Sequence, residues 1–301
     1  VDMLISVIIP TLNRPDDLAL SVYSVIGQTY LPHELIIVDQ SDDNISYDIV
    51  SGIFHESNCD INLVYIHDSE ISGLVAAKKN GVDAAVGDII SFSEDDEVMH
   101  ERYLENTVDA FSDENIMGIS GIVTNIERNK FYLIIFKIFH LGIYSDPRVD
   151  VFKNRDCNGK GRLICSNYIS GGISSYRKVV FEKIEFDLKN KFFTMEDIEF
   201  SVRAADFFGK NKFFICTNVC LKHYMSPINR EILFDRWKRK SHEFILFYKK
   251  NKRKKYAFLF LLWLMIALIL ESILAGFRKI SYKPFLGLIV GIYTGSIWKL
   301  K

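Results

Sequence analysis

The first hundred residues alternate between short apolar runs and longer helix-like segments. The apolar runs are rich in Ile and Val, as the buried strands of a parallel sheet are, and they span residues 4–10, 34–39, 62–67 and 88–92. Residues 13–27 and 72–86 predict helices, with Asn13 as the candidate N-cap of the first. Strands that alternate with helices predict an α/β fold with a parallel sheet and right-handed crossovers.

Polar residues follow several of these strands at the point where each strand ends. Thr11 and Arg14 follow the first strand, Asp39 ends the second, and the fourth runs into residues 93–97 (SEDDE). Ligands of open parallel sheets bind at the carboxyl ends of the strands. Each such residue alone is common at a strand end or a helix start, but their joint placement predicts a ligand site. The segment at 11–14 lacks the glycines of dinucleotide-binding and P-loop folds.

Four consecutive acids, at positions 94–97, come directly after the fourth strand. A fully solvated turn is one explanation for them, because adjacent carboxylates repel one another unless water or a cation lies among them. A divalent cation is the other explanation. Carboxylate oxygens suit Mg²⁺ or Mn²⁺, and Mg²⁺ is usually shared between one or two carboxylates and substrate phosphates. The second explanation predicts a metal–diphosphate site.

Four segments, taken in order, resemble the inverting glycosyltransferases of family 2. They are ISVIIPTLNR at 5–14, ELIIVDQS at 34–41, GLVAAKKNGVDAAVGDIISFSEDDE at 73–97 and TMEDIEFSVR at 194–203. The resemblance covers residues 4–225. It implies the GT-A fold, a Rossmann-like and mostly parallel sheet with flanking helices. It also implies metal-dependent transfer of a sugar from a nucleoside diphosphate, as in the synthesis of bacterial surface polysaccharides.

The resemblance implies roles for residues of the donor site. Thr11 and Arg14 are expected beside the nucleotide, and Asp39 is expected to accept a hydrogen bond from a base, with UDP or dTDP sugars favoured. Lys78 stands where the family commonly has an arginine near the diphosphate, and a lysine lacks the bidentate fork of that residue. Gly171 and Gly172 resemble the stretch that lines the sugar pocket, although a plain turn also explains a pair of glycines.

The same resemblance implies the metal ligands and the catalytic base. Residues 94–96 occupy the DXD segment of the family, where Asp95 approaches the ribose and the metal and Asp96 binds Mg²⁺ or Mn²⁺. His223 resembles a late histidine near the metal, and a solvent-facing histidine is the alternative. Asp197 matches the base that takes the acceptor proton, and Glu196 is expected to orient the base or the acceptor. Without the other motifs, these two acids would be explained as helix N-terminal caps.

The carboxyl-terminal part differs in charge from the rest of the chain. Residues 236–301 hold 15 Lys or Arg and two acids, whereas residues 1–235 hold 22 and 36. Basic residues adjoin apolar stretches at 257–270 and 285–298, and the second stretch carries Gly287, Gly291 and Gly295 on one face. This pattern predicts membrane-associated helices, either a spanning hairpin or two helices embedded from one side. A hydrophobic hairpin through which a soluble protein forms homo-oligomers is the alternative.

These observations divide the chain into a nucleotide-sugar-binding half at 1–98, an acceptor-binding half at 99–235 and a membrane-associating segment at 236–301. The five scattered cysteines predict no disulfide framework and a reducing compartment, with Cys216 and Cys220 as small apolar side chains. We find no secretion signal at the amino terminus and expect the protein at the cytoplasmic face of the cell membrane. The apolar run at 131–139 predicts core, with a lipid-facing surface as the alternative.

Three functions remain open on the sequence alone. Transfer of a sugar to a hydroxyl of a lipid-linked glycan is the first. Transfer to a polyisoprenyl phosphate is the second, and it needs no base because that acceptor is already anionic. A membrane-attached scaffold that binds nucleotide sugars without turnover is the third. Nucleic acid binding is unsupported, because no basic stripe is interleaved with stacking aromatics.

Overall fold

The computed structural model describes residues 3–126, 157, 159–190, 192–228 and 232–300. Its strands form one sheet in the order β3-β2-β1-β4-β8-β6-β9-β5, with β7 paired to β9. The strands are β1 Ile5–Thr11, β2 Glu34–Asp39, β3 Asn62–His67, β4 Ile89–Phe92, β5 Glu97–Met99, β6 Gly118–Val123, β7 Leu163–Cys165, β8 Ser174–Arg177 and β9 Phe213–His223. The predicted nucleotide-sugar-binding half (1–98) and acceptor-binding half (99–235) therefore contribute strands to one sheet. The apolar run at 131–139 lies outside the described residues.

The first four strands pair in parallel, as the alternating pattern predicts. β1 lies between β2 and β4, and β2 pairs with β3. Every residue of β1, β2 and β4 is buried, because helices cover both faces of this part of the sheet. The prediction that Asn13 caps the first helix is wrong: the helix begins at Pro15, Arg14 is its N-cap residue, and Asn13 has a positive φ of 53°.

The second half of the sheet is not parallel, which corrects the expectation of a mostly parallel sheet. Strand β8 is antiparallel to both β4 and β6, and β9 is antiparallel to both β5 and β7. Only the β6–β9 pair is parallel in this half. The described sheet is therefore mixed. Its parallel half contains β1, β2 and β4, the strands that polar residues follow.

Helices cover both faces of the sheet and divide the core into two layers. The helices are α1 Pro15–Ile26, α2 Ile45–Ser57, α3 Leu74–Ala84, α4 Tyr103–Phe111, α5 Val179–Lys183 and α6 Glu196–Phe208. Side chains of α1, α2 and α4, such as Val22, Val50 and Tyr103, pack in one layer. Side chains of α3, α5 and α6, such as Ala77 and Phe200, pack in the other. Helix α6 thus lies on the same face as α3.

Three further helices follow, and two of them cover the apolar stretches near the carboxyl terminus, as predicted. They are α7 Leu233–Asn251, α8 Ala257–Lys279 and α9 Lys283–Ile297. The glycine face of α9 contacts α7: a Cβ added at Gly291 would collide with Ser241 and the backbone of Lys238. A third core cluster joins Ile198 and Val202 of α6 to the three helices. Among the described residues, we find no helix with the length and apolar character needed to cross a membrane.

The structure also corrects the prediction that Cys220 is a small apolar side chain outside any disulfide. Cys157 and Cys220 form a disulfide, with their Cα atoms 5.7 Å apart. Cys216 is a buried free thiol, as expected for a small apolar side chain. The sequence did not reveal the Cys157–Cys220 pair, because the two residues lie 63 positions apart and meet only through the folded chain.

Candidate active site

A cavity of about 400 Å³ opens at the carboxyl ends of β1 and β4. Eight of the predicted site residues line it together: Thr11, Arg14, Asp95, Asp96, Gly171, Gly172, Glu196 and Asp197. They come from segments up to 186 positions apart, yet the order of the sheet places β4 between β1 and β8 and so brings their ends together. The fold thus brings these eight residues to one cavity, whereas Asp39, Lys78 and His223 are not among its lining residues.

Asp95 is held by two residues of the segment that follows β1. Thr11 donates a hydrogen bond to Asp95 Oδ2 at 2.9 Å, and Arg14 Nη1 donates to Asp95 Oδ1 at 2.9 Å. Burial raises the pKa of Asp95 to about 6, although the Arg14 charge and both hydrogen bonds work in the opposite direction. In the structure the carboxylate of Asp95 thus makes a protein-internal ion pair rather than joining the acids around His223.

Asp96 faces His223 at the end of β9. His223 Nε2 lies 3.1 Å from Asp96 Oδ1, and Asp96 Oδ2 accepts the N–H of Ser226 at 2.7 Å. Burial works to raise the pKa of Asp96, but His223, Ser226 and Arg14 together outweigh it and lower the pKa. Asp96, which follows β4, and His223, which ends β9, are therefore adjacent in the fold.

Two further acids converge on His223. Glu94, Glu97 and His223 each offer one possible ligand atom, and these atoms lie within 4.8 Å of one another. Burial and the charges of Glu94 and Asp96 raise the pKa of Glu97 well above its ordinary value. Carboxylates with one imidazole fit Mn²⁺ and also admit Mg²⁺, so the residues present fit the expected cofactor. Glu97, which the sequence analysis did not select as a ligand, belongs to this group, and its position directly after the DXD segment was the available signal.

The proposed base stands at the amino end of α6. Asp197 Oδ2 accepts the N–H of Gly171 at 3.1 Å and the hydroxyl of Tyr168 at 3.3 Å. Its other oxygen accepts the N–H of Ile198 at 2.7 Å. The side chain is half-buried and lines the cavity, so a substrate hydroxyl has access to it. Tyr168 gave no signal in the sequence, because it lies in an irregular segment.

Lys78 lies beneath the cavity wall rather than along it. Its ammonium donates to Glu196 Oε1 at 2.5 Å and to the carbonyl of Gly171 at 3.1 Å. Burial raises the pKa of Glu196 to about 6, although the Lys78 charge opposes the shift. The structure therefore assigns Lys78 to Glu196, and its predicted contact with the diphosphate stays a prediction.

Asp39 is also set back from the cavity. Its carboxylate is fully buried and accepts hydrogen bonds from the N–H of Ser41 at 2.9 Å and the hydroxyl of Tyr65 at 2.7 Å. The next residue, Gln40, lines the cavity instead. Recognition of a base by Asp39 stays a prediction, and the structure adds Gln40 as a residue at the same strand end.

Glu243 of α7 holds the segment that leads to the base. Its Oε2 accepts the N–H of Thr194 at 2.7 Å and of Met195 at 2.9 Å, directly before Glu196 and Asp197. The side chain is 1% exposed. The sequence analysis missed this contact, although Glu243 is one of two acids in the strongly basic segment 236–301, and that isolation was a signal.

We expect Glu243 to make folding stability depend on pH. Burial raises its pKa to about 7, although three backbone N–H groups and Arg239 work against the shift. Since an unfolded glutamate titrates near pH 4.3, the neutral folded form is favoured below that value, and its stabilisation is lost as the pH rises to about 7. The unfolding free energy of the parent minus that of Glu243→Gln is therefore expected to fall by roughly 4 kcal/mol over this range. Parallel denaturant-derived curves for the two proteins would contradict the assignment.

Gly171 is required at its position by close packing, and we expect Gly171→Ala to impair transfer. An added Cβ would lie 2.5 Å from Glu196 Oε1 and 2.9 Å from Lys78 Nζ. The pair beneath the cavity must move, and misplacement of a catalytic group by about 1 Å costs on the order of 10²-fold in rate. Initial rates and thermal unfolding would be compared with Gly52→Ala in α2, where a Cβ meets nothing within 4 Å. Equal activity of the two variants would refute this reading.

A mixed sheet with acids at the end of β4, a histidine at the end of β9 and an acid pair at the start of α6 defines a GT-A-like domain. The chain belongs to glycosyl transferase family 2, because the sequence model of that family matches residues 6–184. It is accordingly a glycosyltransferase by family. The family match covers the first four strands and the glycine segment, but it ends before α6.

Similar proteins agree with this assignment. The chain is 26% identical over 209 residues to the glycosyltransferase YwdF of Bacillus subtilis, an alignment that covers 67% of this chain and 68% of YwdF. It is 26% identical over 129 residues to UDP-Glc:alpha-D-GlcNAc-diphosphoundecaprenol beta-1,3-glucosyltransferase WfgD of Escherichia coli, covering 42% of this chain and 49% of WfgD.

A solved structure extends the likeness over nearly the whole chain. The mannosyltransferase PcManGT of Pyrobaculum calidifontis, in complex with GDP-Man and Mn²⁺, matches 99% of this chain and 87% of its own with a TM-score of 0.62. The sequence identity is 14%, so the match concerns the fold alone.

Proposed function

We propose that this protein is an inverting, metal-dependent glycosyltransferase that moves a sugar from a nucleoside diphosphate to a hydroxyl of a lipid-linked glycan. The observation that carries the proposal is that Asp197 lines the same cavity as Asp95 and Asp96. One cavity thus offers acids for a cation and donor together with a base. Inverting transfer needs both groups at once.

The residues have separate tasks in the proposed reaction. Asp197 takes the proton of the acceptor hydroxyl while that oxygen bonds to the anomeric carbon, and the bond from this carbon to the diphosphate breaks on the opposite side. Gly171 and Tyr168 orient the base through their hydrogen bonds to Oδ2. Glu196 supports this arrangement through Lys78, whose ammonium also binds the Gly171 carbonyl.

Asp96, His223, Glu94 and Glu97 are the residues that would hold Mg²⁺ or Mn²⁺. When bound, such a cation supplies positive charge to the departing diphosphate. The structure of PcManGT in complex with Mn²⁺ supports this cofactor. Arg14, which pairs with Asp95 and lines the cavity, is a further positive group near the expected position of the donor phosphates.

The acceptor and location are proposed on separate grounds. WfgD, by its name, acts on a diphosphoundecaprenol-linked sugar with UDP-Glc, which supports a UDP-sugar donor and a lipid-linked acceptor in surface glycan synthesis. The basic charge of residues 236–301 and the exposed apolar side chains of α8 and α9 support attachment to an anionic membrane surface. The proposed location is the cytoplasmic face of the cell membrane.

The test is a transfer assay with Mn²⁺ that crosses a panel of sugar nucleotides with two classes of acceptor. One class is a polyisoprenyl-diphosphate-linked sugar, which carries free hydroxyls, and the other is a bare polyisoprenyl phosphate. We expect product from the first class, with inverted anomeric configuration by nuclear magnetic resonance. Product from the bare phosphate alone would replace the proposal by lipid phosphate glycosylation. Donor binding with neither transfer nor hydrolysis would identify a scaffold.

A further inference from the structure

A second cavity, of about 630 Å³, lies between α7 and α9, and the proposed transfer reaction does not use it. Three cationic side chains line it, namely Lys238, Arg239 and Lys299, together with one acid, Asp235. Ile297 and Trp298 form its apolar part. The cavity therefore combines an excess of positive charge with an apolar wall.

Arg239 already lies 3.9 Å from Glu243, so the positive charge left for a ligand of this cavity is that of the two lysines. Neither Lys238 nor Lys299 forms an ion pair with a carboxylate of the described residues, although Asp235 lines the same cavity. Burial and then the charges of Lys238 and Lys249 lower the pKa of His242, another residue of the wall. Groups gathered in this way favour an anion as the missing partner.

The local backbone is compatible with an anion as well. The carboxyl end of α9 would by itself repel a negative charge. Lys249 removes much of this effect, because its ammonium donates to the carbonyls of Gly295, Ser296 and Trp298. On the other wall, Asp235 lies in the first turn of α7, the end of a helix that favours anions, and Lys238 and Arg239 follow in the second turn.

The apolar wall indicates that the anion carries a hydrocarbon chain. Ile297 is 62% exposed and continues an outward stripe of α9 formed by Ile289 and Tyr293, which are 48% and 64% exposed. Tryptophans such as Trp298 prefer the boundary between apolar and polar surroundings. Basic pockets between membrane helices bind lipid phosphate headgroups, and this cavity combines the same two components, cations and an adjoining apolar surface.

One contact links this cavity to the active site. The guanidinium of Arg239 lies 3.9 Å from the ring centroid of Phe193, and Phe193 lines the cavity that contains Asp197. Glu243, one helical turn beyond Arg239, holds the backbone of Thr194 and Met195. A group bound at the α7–α9 cavity is therefore next to the segment that leads to the base.

The geometry points to a binding site for the phosphate or diphosphate headgroup of a lipid in the α7–α9 cavity, and the lipid is the carrier of the acceptor sugar. The second half of this inference rests on the proposed function. Binding of the headgroup does not, since it needs neither a donor nor turnover.

The test measures binding by calorimetry with the full chain in a zwitterionic detergent and EDTA, so that no divalent cation bridges a diphosphate to the active site. Farnesyl diphosphate and dihexanoyl phosphatidic acid are the lipid probes, and inorganic pyrophosphate and farnesol are the matched halves of the first. We expect farnesyl diphosphate to bind more tightly than either half. The double variant Lys238→Gln with Lys299→Gln is expected to weaken this binding by about 10- to 30-fold, the effect of two lysines near an anionic headgroup.

The control is Lys252→Gln with Lys255→Gln, which removes the same charge from exposed positions beyond the other end of α7. Equal weakening by both double variants would overturn the site, because it would show general attraction to the basic segment. Pyrophosphate that binds as tightly as farnesyl diphosphate would overturn the lipid part. Tighter binding of dihexanoyl phosphatidic acid than of farnesyl diphosphate would overturn the inference that the bound lipid is the acceptor carrier. Active transfer without binding of any probe defeats this inference alone, whereas binding by a protein that transfers no sugar defeats the proposed function alone.

Discussion

Replacement of Asp197 by Asn is expected to abolish nearly all transfer while donor binding survives. The amide cannot take the acceptor proton, and a positioned general base contributes about 10²- to 10⁴-fold to rate. An amide oxygen can still accept the N–H of Gly171 and the hydroxyl of Tyr168, whereas the N–H of Ile198 loses its acceptor, so thermal unfolding of the variant is measured beside its activity. The measurements are initial rates of sugar transfer and calorimetric affinity for the donor with Mn²⁺.

Asp206→Asn is the matched control for this variant. Asp206 belongs to the same helix α6, at its far end, and its carboxylate pairs with Lys254 on the surface. We expect this control to keep the parent rate, because surface ion pairs contribute roughly 0–1 kcal/mol to stability. Transfer by Asp197→Asn within a few-fold of this control would remove Asp197 from the role of base. A parallel loss of donor affinity and rate would mean that Asp197 acts in binding.

The parallel half of the fold was predictable because its signal is local. Strands β2 and β3 occupy the residues that the sequence analysis assigned to them, β1 is shifted by one residue at both ends, and β4 begins one residue later. Long apolar runs bounded by turns determine such buried strands. The antiparallel half was not predictable in this way, because β5, β7 and β8 are three to four residues long and show no period. Their placement depends on partners such as β9, far along the chain.

The candidate site divides along the same line. Thr11, Arg14, Asp95 and Asp197 were identified because each lies in a short motif or at a strand end. The pairing of Lys78 with Glu196 was not, since the two residues are 118 positions apart and only the packing of α3 beside α6 joins them. Glu243 illustrates the same limit, because it reaches Met195 from a helix that the sequence assigned to a separate membrane segment.

Asp96→Asn is expected to remove the dependence of donor binding on a divalent cation. The amide keeps an oxygen that can accept the N–H of Ser226, but the negative charge beside His223 is lost. Since a cation that links carboxylates to phosphates supplies several kcal/mol, we expect Mn²⁺-assisted affinity for the donor nucleotide to fall by roughly 10²- to 10³-fold. Affinity measured in EDTA is expected to match that of the parent protein.

The comparison between Mn²⁺ and EDTA separates this role from a general loss of structure. A misfolded variant loses affinity in both buffers, whereas a variant that lacks a cation ligand loses only the difference between them. Asp95→Asn offers a second comparison, because Asp95 forms an ion pair with Arg14 and is not one of the acids grouped around His223. We expect it to weaken donor binding in both buffers. An Asp96→Asn protein with the full gain in affinity on adding Mn²⁺ would show that Asp96 does not hold the cation, and the role proposed for this residue would then lose its basis.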